Sequence, residues 1–235
     1  MTKVFSSLPR KMAQPLEVGI TPFTETSEES LFILSLSSLL LSFASTYRRQ
    51  PKFPLDPQET DPRKPNLYLI GFMGTGKTSA GELAADKLGL RFLDSDREIE
   101  KATGLDVAAI FEREGEDAFR EKERAFILQG HPGCGCLVSC GGGLPVPEGM
   151  LVQLKERGLV FALWAEPQTI YERTRDNPRR PLLQVSDPLS EITDLLKKRE
   201  SVYLQADKVI STEMRSTKAV ADLITRSYEE NPSSA

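Results

Sequence analysis

The residues whose types and spacing could do chemistry begin with a glycine-rich stretch that also contains a lysine and a threonine. Residues 71–78 have the sequence GFMGTGKT and match the pattern G-x-x-x-x-G-K-[ST]. The apolar residues 67–70 precede this stretch, and apolar residues at helical spacing follow it. In such a strand–loop–helix frame, backbone N–H groups and the helix dipole bind phosphates. Lys77 would reach the β- and γ-phosphates and Thr78 would bind Mg²⁺, so the stretch predicts a nucleoside triphosphate site.

Two carboxylates follow the second predicted strand. Asp94 directly follows the short predicted strand at 91–93, and Asp96 lies two residues further on. At the end of a strand, such a pair can divide its work between a metal ion and a substrate hydroxyl. Aspartate is also a favoured N-cap of helices. The spacing alone leaves both roles open.

Three glycines and three arginines complete the candidate residues. The glycines at 141–143 could offer backbone N–H groups to a ligand, or could form a plain turn. Arg120 lies on a predicted helix, where an ion pair with Glu123 is the alternative role. Arg180 lies in a proline-containing loop that we expect to be mobile, where an arginine could close over phosphates. Arg199 lies on the helix that follows this loop.

The elements that must position these residues alternate between strand and helix from Asn66 onward. The strand predictions cover residues 67–70, 91–93, 137–139, 159–164 and 208–212. The helix predictions cover residues 96–104, 106–115, 116–129, 147–158, 167–176, 189–206 and 216–230. This order predicts an α/β fold, a five-stranded parallel sheet with helices on both faces. Ligands of such a sheet bind at the carboxyl ends of its strands.

Composition fits one α/β domain plus additional sequence. The chain has 235 residues, of which 39% are apolar and 27% are charged. Its net charge of −4 does not favour a broad nucleic-acid surface. We expect a cytoplasmic monomer that binds small molecules, without a nucleic-acid or membrane partner.

The cysteines are confined to one short stretch. Cys134, Cys136 and Cys140 follow His131, the one histidine of the chain. The pattern H-x2-C-x-C-x3-C could indicate a metal site, but structural zinc sites usually take two ligand pairs from separate turns. A strand would point neighbouring residues to opposite faces. Reduced thiols packed in or near the core are therefore favoured.

The first 65 residues differ from the rest. They contain half of the sixteen prolines, and an apolar, serine-rich run at 31–45 follows Glu28 and Glu29. Three interpretations stay open: a disordered arm or short appended helix, a start codon assigned too far upstream, or a weak membrane or targeting element. The expected organisation is an N-terminal extension at 1–65, a domain at 66–230 and a flexible tail at 231–235.

Taken together, the motifs from residue 66 onward resemble those of the shikimate kinase family. They occur in the family's order: G-x-M-G-x-G-K-T at 71–78, D-S-D-x-x-I-E at 94–100, G-E-x-x-F-R-x-x-E at 115–123, the triple glycine, R-P-L-L at 180–183 and K-R-x-x-x-Y at 198–203. The resemblance implies a nucleoside monophosphate kinase-like fold with a lid loop. It also implies transfer of phosphate from MgATP to the 3-hydroxyl of shikimate, in aromatic amino-acid biosynthesis.

The resemblance also implies roles for single residues. The phosphates would be bound by Gly74, Thr75, Gly76, Lys77, Thr78 and Ser79. Asp94 would help Thr78 to hold Mg²⁺, and Arg180 would close from the lid over ATP. Asp96 would bind shikimate hydroxyls and orient or accept the 3-hydroxyl proton. The remaining implied contacts are the carboxylate clamp of Arg120 and Arg199, the Gly142 N–H on a hydroxyl, and Arg215 against the adenine.

The sequence departs from the family pattern at two points, and two alternative functions remain. Cys140 stands where the family usually has threonine, which leads us to expect sensitivity to thiol reagents. The N-terminal extension is not a family feature. The rivals are a gluconate-type small-molecule kinase of the same fold and a non-catalytic nucleotide-binding protein; the presence of Asp96, Arg120 and Arg199 argues against both.

Overall fold

The computed structural model describes residues 53, 60–175 and 185–231. Most of the predicted N-terminal extension, residues 176–184 of the expected lid and the tail from 232 lie outside these residues. The described elements are β1 (Asn66–Ile70), α1 (Lys77–Leu88), β2 (Arg91–Asp94), α2 (Ser95–Thr103), α3 (Val107–Gln129), β3 (Cys136–Ser139), α4 (Met150–Arg157), β4 (Gly158–Trp164), α5 (Pro167–Thr174), α6 (Pro188–Tyr203), β5 (Lys208–Ser211) and α7 (Thr217–Glu229).

The strands form one parallel sheet in the order β2-β3-β1-β4-β5. This confirms the predicted fold class. The strand β1 lies at the centre, and all five of its residues are buried. The order of the strands depends on contacts between distant segments, and the sequence pattern gave no prediction of it.

Two apolar clusters cover the two faces of the sheet. Leu67 and Leu69 point into a cluster that the helices α1 and α7 complete. Tyr68 and Ile70 point to the other face, into a cluster that takes residues from α2 to α6. This alternation along β1 is the period of two that a strand imposes on its side chains. Each large side chain buried in this way stabilises the fold by about 1.5–3 kcal/mol.

The long helix α3 is kinked at Gly115. That residue has φ 85° and ψ 173°, a conformation that lies outside the helical region and that glycine tolerates. The break that the sequence predicted at Gly115 is therefore present as a kink inside one continuous element. C-terminal to the kink, Phe119 and Phe126 of α3 pack in the core, and Arg120 extends towards the triple glycine at the edge of the sheet.

The residues just before β1 also contact the domain. The ring of Phe53 lies 5.3 Å from that of Phe126, edge to face. Lys64 Nζ donates to the last carbonyl of α1 at 2.6 Å. The Tyr228 hydroxyl on α7 donates to the carbonyl oxygen of Pro65 at 2.7 Å. These contacts join the chain ahead of β1 to the amino end of the sheet.

None of the helices in the described ranges has the length and apolarity needed to cross a bilayer.

Candidate active site

The phosphate-binding motif forms the loop between β1 and α1. Gly76, which precedes α1, has a φ of 88°, in the left-handed region that favours glycine. A Cβ placed on Gly71 would lie 2.3 Å from the carbonyl oxygen of Leu163 on β4, so the loop can pass there only as glycine. Lys77 is buried, and its Nζ donates to the carbonyl oxygens of Gly71 and Phe72 at 2.8 and 2.9 Å. These two hydrogen bonds fix the Lys77 side chain against the start of the phosphate loop.

Three oxygen-bearing side chains meet beside the loop. Thr78 Oγ1 donates to Asp94 Oδ2 at 2.9 Å, and Ser139 Oγ at the end of β3 lies 3.3 Å from Thr78 Oγ1. Asp94 is also the N-cap of α2, where its side chain accepts from the Arg97 N–H. Asp94 can therefore cap α2 and face the phosphate loop at the same time, so the two roles that the sequence left open do not exclude each other. Hydroxyl and carboxylate oxygens are the ligands that Mg²⁺ prefers in proteins.

These groups line a cavity of about 280 Å³ at the carboxyl edge of the sheet. The sequence-predicted residues in its wall are Gly74, Gly76, Lys77, Thr78, Ser79, Asp94, Asp96 and Gly142. Gly141 of the candidate triple glycine and Cys140 also line it, and so do three residues for which the sequence predicted no role, namely Met73, Ser139 and Arg173. Segments separated by tens of residues thus converge where a parallel sheet places its ligands.

Asp96 lies in the first turn of α2 and faces Gly141. Enclosure in the cleft, followed by the nearby charge of Asp94, raises the pKa of Asp96 to about 6, while Lys77 opposes the rise. A carboxyl group with a pKa this close to neutral is suited to accept a proton from a hydroxyl.

Arg120 lies on α3 and is held by two glutamates. Its Nη1 donates to Glu123 Oε2 at 2.6 Å, and its Nη2 donates to Glu116 Oε1 at 2.7 Å. A Cβ placed on Gly143 would lie 2.5 Å from Arg120 Nη2, so the guanidinium also packs closely against the glycine turn. The ion pair with Glu123 that the sequence offered as an alternative is present, and a role of Arg120 in substrate binding stays a prediction.

Glu123 is a site residue whose importance the sequence did not show. Its side chain is 1% exposed, and burial raises its pKa to about 7 although Arg120 opposes the rise. Its Oε1 is buried without a hydrogen-bond partner among the described residues. A Cβ on Gly141 would lie 2.7 Å from both this oxygen and Asp96 Oδ1, so the two carboxyl groups face the same glycine.

Arg199 approaches the glycine turn from α6. Its guanidinium carbon lies 5.5 Å from the centre of the Phe72 ring, in a cation–π geometry. A Cβ placed on Gly142 would lie 3.8 Å from Arg199 Nη1. One helical turn later, the Tyr203 hydroxyl donates to the Gly142 carbonyl oxygen at 2.6 Å, and burial raises the pKa of Tyr203 to about 12. Arg120 and Arg199 therefore reach the triple glycine from two different helices.

A second cavity of about 150 Å³ adjoins the phosphate loop. Arg215 lines it together with Thr75, Gly76, Ser79 and Arg173. Thr75 is buried and donates to the Phe72 carbonyl oxygen at 2.8 Å. No role was predicted for Arg173 from the sequence, because an arginine near the end of a helix ordinarily faces solvent.

Arg180 and the R-P-L-L motif lie outside the described residues, so the arrangement above contains no part of the expected lid.

The cysteine stretch lies between α3 and the triple glycine. Cys140 is 1% exposed, and burial raises its pKa well above the ordinary value, which disfavours the thiolate that reagents attack. Sensitivity to thiol reagents stays a prediction that this burial argues against. His131 Nδ1 lies 2.8 Å from the Pro132 carbonyl oxygen. Within residues 60–175 and 185–231, no three His, Cys, Asp or Glu side chains form a group that could hold a metal.

Comparison with known proteins places this geometry in a family. The sequence profile of the shikimate kinase family matches residues 73–229. The shikimate kinase of Thermodesulfovibrio yellowstonii is 43% identical over 164 residues, which cover 70% of this chain and 95% of that protein. That of Persephonella marina is 42% identical over 151 residues, or 64% of this chain and 91% of the relative.

Solved structures agree with these matches. The shikimate kinase of Acinetobacter baumannii in complex with shikimate has a TM-score of 0.68 and 37% identity, and the match covers 72% of this chain and 95% of that one. The shikimate kinase of Aquifex aeolicus has a TM-score of 0.60 and 33% identity, with 70% and 96% covered. The chain belongs to the shikimate kinase family, and it is an ATP-dependent kinase of a small molecule.

Proposed function

We propose that the chain transfers the γ-phosphoryl group of ATP to the 3-hydroxyl of shikimate, which gives shikimate 3-phosphate and ADP. The observation that carries this proposal is the convergence of Asp96, Arg120 and Arg199 on one glycine turn beside the phosphate loop. Shikimate is a small polyhydroxylated carboxylate. It needs cationic groups for its acid and an acceptor for its hydroxyls, and these three side chains provide both.

On the acceptor side, Arg120 and Arg199 would bind the shikimate carboxylate. Guanidinium groups match carboxylate geometry, and two of them arriving from α3 and α6 would fix the ring in one orientation. The Gly142 N–H would contact a substrate hydroxyl. Asp96 would orient the 3-hydroxyl and accept its proton, for which its raised pKa suits it.

On the nucleotide side, the residues from Gly74 to Ser79 would bind the phosphates with backbone N–H groups, and Lys77 would place its charge on them. Arg215 would lie against the adenine in the smaller cavity that it lines. Arg180, which lies outside the described residues, would complete the charge neutralisation over ATP. Phosphoryl transfer needs this positioning and electrostatic stabilisation more than covalent chemistry.

The donor set fits Mg²⁺ as the ion that accompanies ATP. Thr78 and Asp94 would hold it, since their oxygens lie 2.9 Å apart at the phosphate loop, and Asp94 would act through water. When bound, Mg²⁺ supplies charge neutralisation between the β- and γ-phosphates. Ser139 stands close enough to Thr78 to orient its hydroxyl.

The test is ADP release from MgATP by the full chain with shikimate, with gluconate or without an acceptor. We expect release that depends on shikimate and on Mg²⁺. Release with gluconate instead would favour the related sugar-acid kinase. ATP binding without release in any mixture would favour a non-catalytic nucleotide-binding protein. The expected cytoplasmic monomer is part of the same proposal, and the sedimentation coefficient of the purified chain tests its monomeric state.

A further inference from the structure

The turn after β5 lies next to the smaller cavity and is held by several hydrogen bonds. Thr212 is buried, and its backbone N–H donates to the Trp164 carbonyl oxygen at 2.8 Å. The Arg215 N–H lies 3.4 Å from the Thr212 carbonyl oxygen, which closes the turn. The side chain of Arg215 lines the cavity, so the position of this turn decides where that guanidinium stands.

Glu213, in the middle of this turn, caps a different element. Its Oε1 accepts from the backbone N–H of Glu166 at 2.8 Å, and its Oε2 accepts from Thr169 Oγ1 at 2.9 Å. Glu166 is the N-cap residue of α5, and its own side chain makes no capping hydrogen bond. A carboxylate at a helix N-terminus satisfies free N–H groups and meets the positive end of the dipole. Glu213 therefore supplies from a distant segment the cap that α5 lacks.

The carboxyl end of α5 is bound to the same turn. Arg173 donates from Nη1 to Thr212 Oγ1 at 3.0 Å and from Nη2 to the Thr212 carbonyl oxygen at 2.9 Å. Nη1 also lies 3.3 Å from the carbonyl oxygen of Gly74 in the phosphate loop. Thr174 packs so closely there that a Cβ on Gly74 would lie 2.7 Å from its Cγ2. The helix α5 thus bridges the turn after β5 and the phosphate loop.

The turn after β5 also contains a residue with a strained backbone conformation, Met214. Met214 has a φ of 50°, in the left-handed region that side chains other than glycine rarely adopt, and its side chain is fully exposed. No burial of the Met214 side chain offsets this conformation, so the bonds of its neighbours must maintain it. Glu213 provides two of those bonds, on the residue directly before the strained one.

We propose that Glu213 is a positioning residue for the nucleotide: it fixes α5 to the turn after β5, and so sets Arg173 and Arg215 around the smaller cavity. This inference rests on the proposed function, because it assigns that cavity to ATP. It predicts a selective effect, since the hydrogen bonds of the Glu213 side chain in the described part of the chain go to Glu166 and Thr169, and not to Asp96, Arg120 or Arg199.

The test compares three variants of the full chain with the unchanged protein. Glu213→Ala removes both bonds to α5. Glu213→Gln keeps both, because the amide oxygen can accept from the Glu166 N–H while the amide NH₂ donates to the Thr169 hydroxyl. Glu166→Ala is the matched control, since it removes a neighbouring carboxylate and leaves the backbone N–H in place. Initial rates give KM for ATP and for shikimate, and calorimetric titration gives the affinity for ATP alone.

We expect Glu213→Ala to raise KM for ATP about fivefold to tenfold, as the loss of two ordinary hydrogen bonds allows. KM for shikimate should stay within about twofold, and the other two variants should resemble the unchanged protein. An unchanged KM for ATP would overturn the inference. The inference would also be overturned if Glu213→Gln raised KM for ATP as much as Glu213→Ala does. The same holds if Glu213→Ala raised KM for ATP and KM for shikimate equally. If the unchanged protein shows no shikimate-dependent turnover, the proposed function fails, and the ATP titration still decides the role of Glu213.

Discussion

The phosphate loop and the acceptor side of the cavity lie at the same edge of the sheet but are built in different ways. The loop takes its residues from one stretch, 71–79, so that strand, turn and helix fix their positions locally. The acceptor side takes Asp96 from α2, Arg120 from α3, Gly142 from the turn after β3 and Arg199 from α6. Under the proposed function, phosphate binding would therefore depend on local geometry, whereas recognition of shikimate would depend on the packing of the whole domain.

Asp96→Asn is expected to have the largest effect, and this effect should be confined to the acceptor side. The amide cannot accept the hydroxyl proton, so kcat should fall by about 10²- to 10⁴-fold. KM for ATP should change little, because the phosphate loop is intact. Initial-rate kinetics with each substrate varied would measure both values. Near-normal turnover would remove Asp96 from the role of proton acceptor.

A smaller effect is expected from Gly143→Ala, with Gly142→Ala as its matched control. A methyl group on Gly143 would meet the Arg120 guanidinium at 2.5 Å, the far end of a flexible side chain, so the arginine should shift while the fold persists. On Gly142 the nearest atom is 3.4 Å away. We expect KM for shikimate to rise about tenfold in the first variant, through the loss of a charged hydrogen bond. It should rise clearly less in the second.

Kinetics and thermal unfolding of both glycine variants would separate displacement of the arginine from general damage. A similar KM for shikimate in the two proteins would show that the close packing of Arg120 on Gly143 does not matter for binding. A raised KM for ATP in Gly143→Ala would show that a change on the acceptor side also disturbs the phosphate loop.

The smallest effect concerns stability and is expected from Glu123→Gln. The pKa of Glu123 in the fold is about 7, above the ordinary value of 4.5. The contribution of this group to stability is therefore complete below the lower value and is lost as the pH rises through the higher one. Glutamine does not titrate, so the variant should gain Tm relative to the original chain between about pH 5 and about pH 8. A gain of a few degrees is expected, since about 1 kcal/mol shifts Tm by about 2–4 °C in a domain of this size.

Thermal unfolding at several pH values would measure this difference. A constant difference across the range would mean that Glu123 stays ionised in the fold, held by Arg120 alone.

The contrast between the two regions also explains what the sequence could predict. Lys77 and Thr78 line one cavity, and the sequence could predict that they lie together because their motif is contiguous and its strand–loop–helix frame is local. The break at Gly115 was foreseen for the same reason. The roles of Asp96, Arg120 and Arg199 came from the ordered set of motifs that resembles a family, and spacing alone had left them open.

Other features needed the structure because they exist only between distant segments. The three glycines look equivalent in the sequence, yet a methyl group would collide with two carboxylates at Gly141 and with a guanidinium at Gly143, whereas at Gly142 it would make only ordinary van der Waals contacts. The buried oxygen of Glu123 and the bridge made by Arg173 have no local pattern that could reveal them.

The contact between Phe53 and Phe126 places the start of the described chain at the amino end of the sheet, whereas both cavities open at the carboxyl end. The ring of Phe53 therefore covers part of the core on the side of the domain away from both cavities. Removal of Phe53 would uncover the ring of Phe126, so a shortened chain that keeps this part of the core closed must retain Phe53.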